Sequence, residues 1–163
     1  MIVLGIDPGI ATLGYGILEY SQSKFKVLDY GAIITKANTS FSDRLDQIYK
    51  GVNILINKYN VDVVAIEELF FNKNVKTAIT VAHARGVCIL AASHNKKSVY
   101  EYTPLQVKQG VVGYGRADKI QVQSMIKSIL NLKQVPKPDD VADALAVAVC
   151  HCHSLKFESL FKV

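Results

Sequence analysis

Four acidic residues lie far apart in this sequence, yet each stands where an apolar segment meets a loop or a helix start: Asp7, Glu67, Asp140 and Asp143. We call them the four carboxylates. The first two end apolar runs with the composition of strands, and the last two begin a run rich in Ala, Val and Leu. Like charges brought close together repel unless protons or cations intervene. If the two strands and the helix converge, the four carboxylates predict a metal site at one edge of a sheet.

The chemistry that such a site supports is phosphodiester hydrolysis. Mg²⁺ prefers oxygen ligands and is commonly held by a few carboxylates together with phosphate oxygens of the substrate. Two such ions, about 3.5–4 Å apart, can activate an attacking water and stabilise the leaving oxygen of a phosphodiester. Two acids spaced by one helical turn share a face and suit that task.

Each carboxylate also has an ordinary structural interpretation. Asp140 fits a helix cap or a first-turn acid favoured by the helix dipole. Asp7 fits a turn residue beside Pro8-Gly9, and Glu67 fits a plain strand-end acid. Asp143 is harder to explain in this way, because it interrupts an otherwise apolar helix in which an unpaired charge is costly.

Two further acids, Glu68 and Asp139, are immediate neighbours of Glu67 and Asp140 and compete for the same roles. Adjacent side chains of a strand face opposite sides, so only one of Glu67 and Glu68 points at the site. Alternation along the strand leaves that choice open.

The segments that must position these acids follow one another in a recognisable order. Apolar patterns and turn residues predict strands at 2–7, 13–20, 25–34, 61–67 and 98–102. They predict helices from Ser40 or Ser42 to about 58, at 75–93, from Thr103-Pro104, from Asp118 to about 130, and at 139–152, with a break in regular structure at 110–115. Three antiparallel strands followed by alternating helices and strands predict an α/β fold with a mixed five-stranded, ribonuclease H-like sheet.

The length and charge of the chain indicate how many domains it forms and what kind of partner it binds. With 163 residues, half of them hydrophobic, we expect one domain over 1–163 with its ordered core at about 1–155. The net charge is +5, and the segment from Lys73 to Lys133 holds ten Lys or Arg but only two acids. A basic stretch beside an acidic cluster predicts a polyanion partner. The alternative is a solvated, lysine-rich surface.

The sequence also bears on compartment. It begins without the pattern of a signal peptide, and no apolar run is expected to span a bilayer. Three cysteines are an odd number and fit reduced thiols, so we expect a cytoplasmic protein without membrane attachment. The tract 150–153, Cys-His-Cys-His, is a poor zinc site because successive helix residues point ~100° apart.

Several segments together resemble the RuvC-type Holliday junction resolvases over nearly the whole chain. They are residues 5–9, 14–16, 65–70, 84–87, 102, 106–109, 111–113, 140–146 and 151–153. The resemblance implies that the four carboxylates bind metal, which favours Glu67 over Glu68 and Asp140 over Asp139. It also assigns DNA contacts to an aromatic residue at the junction centre and to two lysines: Phe70, Lys108 and Lys119.

The resemblance further implies a structure-selective endodeoxyribonuclease that resolves four-way (Holliday) DNA junctions by paired symmetric nicks. Such an enzyme would use two Mg²⁺ ions per subunit, with Mn²⁺ as a substitute, and leave 5′-phosphate and 3′-hydroxyl ends. It would act as a homodimer with the branch-migration complex of RuvA and RuvB in homologous recombination and DNA repair. A stripe of small residues at Ala78, Ala82 and Gly86 is our predicted contribution to the dimer interface.

Two other classes fit parts of the sequence. The segments 7–9 and 14–16 resemble the phosphate-binding hairpin of sugar-kinase and actin-like ATPases, but those proteins need a second domain for which 163 residues leave no room. A non-catalytic DNA-binding protein would use the basic stretch alone. It gives no reason for Asp143 inside an apolar helix.

Overall fold

One mixed sheet organises the part of the chain that this computed structural model describes, residues 1–69 and 75–155. Its strands are β1 (Ile2–Asp7), β2 (Thr12–Ser21), β3 (Lys24–Ile34), β4 (Val63–Glu67) and β5 (Ser98–Tyr102). The order across the sheet is β3-β2-β1-β4-β5. β1 pairs antiparallel with β2 and parallel with β4, and β5 adds a further parallel strand. The predicted ribonuclease H-like α/β sheet is confirmed.

Five helices of the described residues cover the two faces of this sheet. They are α1 (Phe41–Lys58), α2 (Val75–His94), α3 (Pro104–Val112), α4 (Lys119–Ile129) and α5 (Asp139–His153). Alternation along β1 sends Leu4 and Ile6 into a core shared with α1 and α2, and sends Val3 into a second core shared with α3, α4 and α5. The sheet is therefore buried on both faces, as parallel strands require.

Helix α5 lies unusually close to the sheet because glycines stand beneath it. A β-carbon on Gly5 would collide with the carbonyl oxygen of Ala144, and one on Gly14 would collide with that of Asp140. Glycine inside a strand commonly marks such a close approach of another backbone. Every residue of α5 from Val141 to Cys152 is buried except Asp143, which is partly exposed. Beyond its first two residues, Asp139 and Asp140, the helix thus has one acidic side chain, Asp143, among buried residues.

Local signals explain most of the element boundaries. The Ser40 side chain accepts a hydrogen bond from the Asp43 amide and caps α1, which decides between the two predicted caps. Thr103 begins α3 and Asp118 begins α4, each with a complete capping box. The predicted break at residue 110 is wrong, because α3 continues to Val112. The chain leaves the helix only at Gly113, which has a φ of 75° that favours glycine.

Helix α2 has the length and composition of a candidate membrane span, with a mean hydropathy of 1.3. The predicted lack of any such run is therefore wrong for this segment. One helix of this kind is weak evidence for a span, since Ala84, Cys88 and Ala91 of α2 are buried in the core shared with α1. The three cysteines are free and buried, which agrees with the expected reduced thiols.

Candidate active site at the carboxyl edge of the sheet

Asp7 and Glu67 meet because they end neighbouring parallel strands. Ile6 of β1 is in register with Ile66 of β4, so the next residue of each strand lies at the same sheet edge. Ala65, two residues before Glu67, is buried in the core under α5, so Glu67 faces that side as well. Glu68 is exposed, and its amide donates a hydrogen bond to the Tyr102 carbonyl. The register therefore places Glu67 on the α5 side of the sheet, while both acids line a cleft that also contains Asp7.

The first turn of α5 brings the other two carboxylates to the same edge. Gly14 is the register partner of Asp7 across the β1–β2 pair, and the Asp140 backbone lies directly on Gly14. The Asp140 side chain is close enough to act electrostatically on Asp7 and Asp143. The structure therefore brings the four carboxylates together.

Crowding and burial change the protonation of this cluster. Burial, and then the negative charges of Glu67, Asp143 and Asp140, raise the pKa of Asp7 to about 8. Burial, followed by the charge of Asp143, raises the pKa of Glu67 to about 7. A hydrogen bond between the two side chains raises the pKa of Asp7 further and lowers the pKa of Glu67 in part. Burial also raises the pKa of Asp143, and a hydrogen bond from Lys119 opposes that effect.

A group of ion pairs borders the cluster where α4 meets α5. The Lys119 Nζ lies 3.1 Å from Asp143 Oδ2 and 3.5 Å from Asp139 Oδ2. Asp139 Oδ1 lies 2.6 Å from Lys137 Nζ, and this hydrogen bond is the largest cause that lowers the pKa of Asp139. Lys119 therefore joins the acidic site to the basic stretch of the chain.

A cleft of about 180 Å³ opens over the carboxylates. Glu67 and Asp143 line it together with Lys108, Lys119 and apolar side chains of α3, α4 and α5. A second cleft of about 220 Å³ shares Glu67 and contains Asp7. Acids and lysines that face one open cleft can hold a phosphate and a cation side by side.

The donor set suits a divalent cation of the magnesium type. The side chains are carboxylates; burial first, and then repulsion among them, raises the pKa values of Asp7 and Glu67, and a nearby cation would relieve that repulsion. Over residues 1–69 and 75–155, no three His, Cys, Asp or Glu side chains are already arranged to hold a metal ion. Mg²⁺ is usually held by one or two carboxylates, waters and substrate phosphates rather than by a closed protein cage, so the oxygen donors present fit it.

Of the predicted DNA contacts, Lys108 and Lys119 both line the cleft beside the acids. Phe70 lies outside the described residues. The sequence interpretation missed the ion pair between Lys119 and Asp143 and the role of Gly14 beneath α5. Glycines at alternate positions of β2, residues 14 and 16, were the available signal for the close approach of α5.

The first three residues of the Cys-His-Cys-His tract are buried, and His153 is exposed. The His151 Nδ1 is hydrogen-bonded to the Tyr102 hydroxyl at 2.7 Å, and the pair is buried. The His153 Nδ1 contacts the Gly110 carbonyl at 2.7 Å, and Cys150 and Cys152 are buried thiols. These contacts anchor α5 to β5 and α3.

Known proteins resemble this chain over its whole length. A family model described as crossover junction endodeoxyribonuclease RuvC matches residues 3–151. A protein of that name from Clostridioides difficile (strain 630) is 68% identical over 162 residues, covering 99% of this chain and 96% of the relative.

Two solved structures are also similar in fold and sequence. Thermus thermophilus RuvC has a TM-score of 0.90 and 34% identity, and each chain covers 100% of the other. The same protein in complex with a Holliday junction substrate has a TM-score of 0.91 and 32% identity, again with 100% of both chains covered.

Proposed function

Because this chain belongs to the RuvC family of crossover junction endodeoxyribonucleases, we propose that it resolves four-way DNA junctions by paired symmetric nicks. The products are 5′-phosphate and 3′-hydroxyl ends. The observation that carries this proposal is the convergence of four carboxylates, two of which, Glu67 and Asp143, line one open cleft together with two lysines. The similarity to a chain solved with a Holliday junction supports the choice of substrate.

The four carboxylates are the residues that would hold two Mg²⁺ ions, with Mn²⁺ as a substitute. Bound there, the ions would activate the attacking water and stabilise the leaving oxygen. The protein's own part is to keep Asp7 and Glu67 at adjacent strand ends and Asp140 and Asp143 on one helix face. Burial and the neighbouring carboxylates raise the pKa of Asp7, and a carboxyl group must be ionised to act as a metal ligand, so binding of a cation there would favour the loss of its proton.

Basic side chains would position the DNA. Lys108 on α3 and Lys119 at the start of α4 line the cleft together with Glu67 and Asp143, and a phosphate backbone that enters it would meet both lysines. Each phosphate contact adds affinity that depends on salt but not on base sequence. Phe70 is proposed to stack on a base at the junction centre, a contact worth about 1–3 kcal/mol in other proteins.

A homodimer suits this reaction because a four-way junction has two-fold symmetry and needs two equivalent nicks. Helix α2 exposes an apolar strip, and with Leu45 of α1 it forms a groove of about 440 Å³ lined by Ile79, Ala82, Gly86 and Leu90. We assign this groove to the dimer interface. Disulfide trapping at Ala82→Cys should link two chains. A protein that is monomeric at micromolar concentration would contradict the assignment of this groove to a dimer interface.

The cellular setting follows from the same proposal. The enzyme would act in the cytoplasm with the branch-migration complex of RuvA and RuvB, in homologous recombination and DNA repair. Junctions held by that complex are the physiological form of the substrate.

A nicking assay on a tethered four-way junction with Mg²⁺ tests the function. Wild type should cut opposed strands, whereas Asp7→Asn should bind the junction equally or more tightly and not cut it, because a ligand and a negative charge are lost together. Glu68→Gln, an equal charge change at the exposed neighbour of Glu67, is the matched control and should cut normally. Equal cutting by wild type and Asp7→Asn would refute the mechanism, and ATP turnover would favour the kinase-like class.

A further inference from the structure

Asp139 holds two lysines at the border of the site without being one of the four carboxylates. It is the first residue of α5, and its two oxygens face different partners. Oδ1 lies 2.6 Å from Lys137 Nζ, and Oδ2 lies 3.5 Å from Lys119 Nζ. The three side chains together carry a net charge of +1. Asp139 therefore keeps two positively charged side chains close together beside the acidic cleft.

Lys119 is shared between two acids that have different tasks. Its Nζ lies 3.1 Å from Asp143 Oδ2, closer than to Asp139. A divalent cation at Asp143 would compete with the ammonium group for the same carboxylate and would repel it. Lys119 is about half exposed, so without another acceptor its long side chain is free to move into solvent.

We propose that Asp139 is a positioning residue, which keeps Lys119 at the cleft when a cation and a phosphate engage Asp143. This role rests on the proposed junction-cutting function. Asp139 acts through Lys119 and does not itself meet the substrate. Its second oxygen, held by Lys137, fixes the orientation of the carboxylate so that Oδ2 stays directed at Lys119.

If Asp139 acted only through its negative charge, its removal would have a different effect on cutting from the one that a positioning role predicts. Removing a negative charge beside a DNA-binding cleft should tighten binding and leave cutting equal or faster. If Asp139 positions Lys119, the same change must slow cutting although binding is unchanged or tighter. The two effects separate when binding and the rate of cutting are measured independently.

The test is single-turnover nicking of a four-way junction by the full-length protein at saturating concentration with Mg²⁺. Asp139→Asn should lower the nicking rate by about three- to tenfold, the size expected for a lost ion pair of an active-site network. Its dissociation constant for the junction, measured with Ca²⁺, should be equal or lower. Asp139→Glu should restore most of the rate, and Asp46→Asn, at an exposed acid of α1 paired with Lys50, should cut like wild type.

A double variant shows whether the effect passes through Lys119. In a Lys119→Met background, Asp139→Asn should cause no further loss of rate, because the residue it positions is gone. An unchanged or faster rate for Asp139→Asn alone would overturn the proposal, as would an additive loss in the double variant. If wild type does not nick the junction, the proposed function fails and the role of Asp139 fails with it. If wild type nicks the junction, the function stands and the Asp139 variants test the positioning role alone.

Discussion

The acidic site should weaken the fold that holds it, and Asp7 is the residue at which this is best measured. In the folded protein the pKa of Asp7 is about 8, against 3.8 in an unperturbed carboxyl group. Between these two values the folded state binds more protons than the unfolded state, so the stability that protonated Asp7 contributes is lost as pH rises toward 8. At about 1.4 kcal/mol for each pH unit, the loss at pH 7.5 is about 5 kcal/mol.

Asp7→Asn removes the charge while keeping the shape, so we expect it to stabilise the protein when divalent ions are chelated. Burial of the amide offsets about 1–3 kcal/mol of the gain, which leaves about 2–4 kcal/mol. For a domain of this size that corresponds to a rise in melting temperature of about 5–10 °C at pH 7.5. Near pH 4.5 the difference should largely disappear, because pH is then less than one unit above the ordinary pKa of 3.8 and the loss falls to about 1 kcal/mol, which burial of the amide offsets.

The assay is thermal unfolding followed by circular dichroism in EDTA, from pH 4.5 to 8, for wild type, Asp7→Asn and Asp46→Asn. Asp46 is an exposed acid on α1 paired with Lys50, so it controls for the change in net charge and should shift the melting temperature little. Added Mg²⁺ should stabilise wild type more than Asp7→Asn, because the ligand site stabilises only the state that binds it. Equal or lower stability of Asp7→Asn at pH 7.5 in EDTA would refute the reasoning.

Three other perturbations test the packing around the site. Gly14→Ala should push α5 away from β2, which should destabilise the protein by about 1–3 kcal/mol in urea unfolding and abolish nicking. If the variant is as stable as wild type, the close approach of α5 to β2 is not needed. Tyr102→Phe should cost about 1–2 kcal/mol in the same measurement, because the buried His151 loses its hydroxyl partner. Burial raises the pKa of Cys88, Cys150 and Cys152 to about 12 each, so an aromatic disulfide reagent at pH 8 should modify them only at the rate of unfolding. Rapid labelling of the native protein would contradict that burial.

Much of the fold follows from local rules that operate along the chain. Strand alternation, the caps at Ser40, Thr103 and Asp118, and the order of elements were readable because each depends on a few neighbouring residues. The end of α3 was placed too early because Gly110 fits against Cys150 inside a helix, and only packing against α5 reveals that. Glycine is permitted at a helix interior when a neighbouring helix leaves no room for a side chain.

The types and positions of the four carboxylates were determined by the sequence itself, as was the surplus of lysine and arginine between residues 73 and 133. Tertiary structure alone decided that Glu67 lies on the α5 side of the sheet, how far the pKa of Asp7 rises, and that Lys119 lies against Asp143. These properties depend on register between distant strands and on the close seating of α5 over Gly14. Electrostatic energies vary steeply with the distance between charges and with their burial, and both quantities are properties of the folded structure rather than of the sequence.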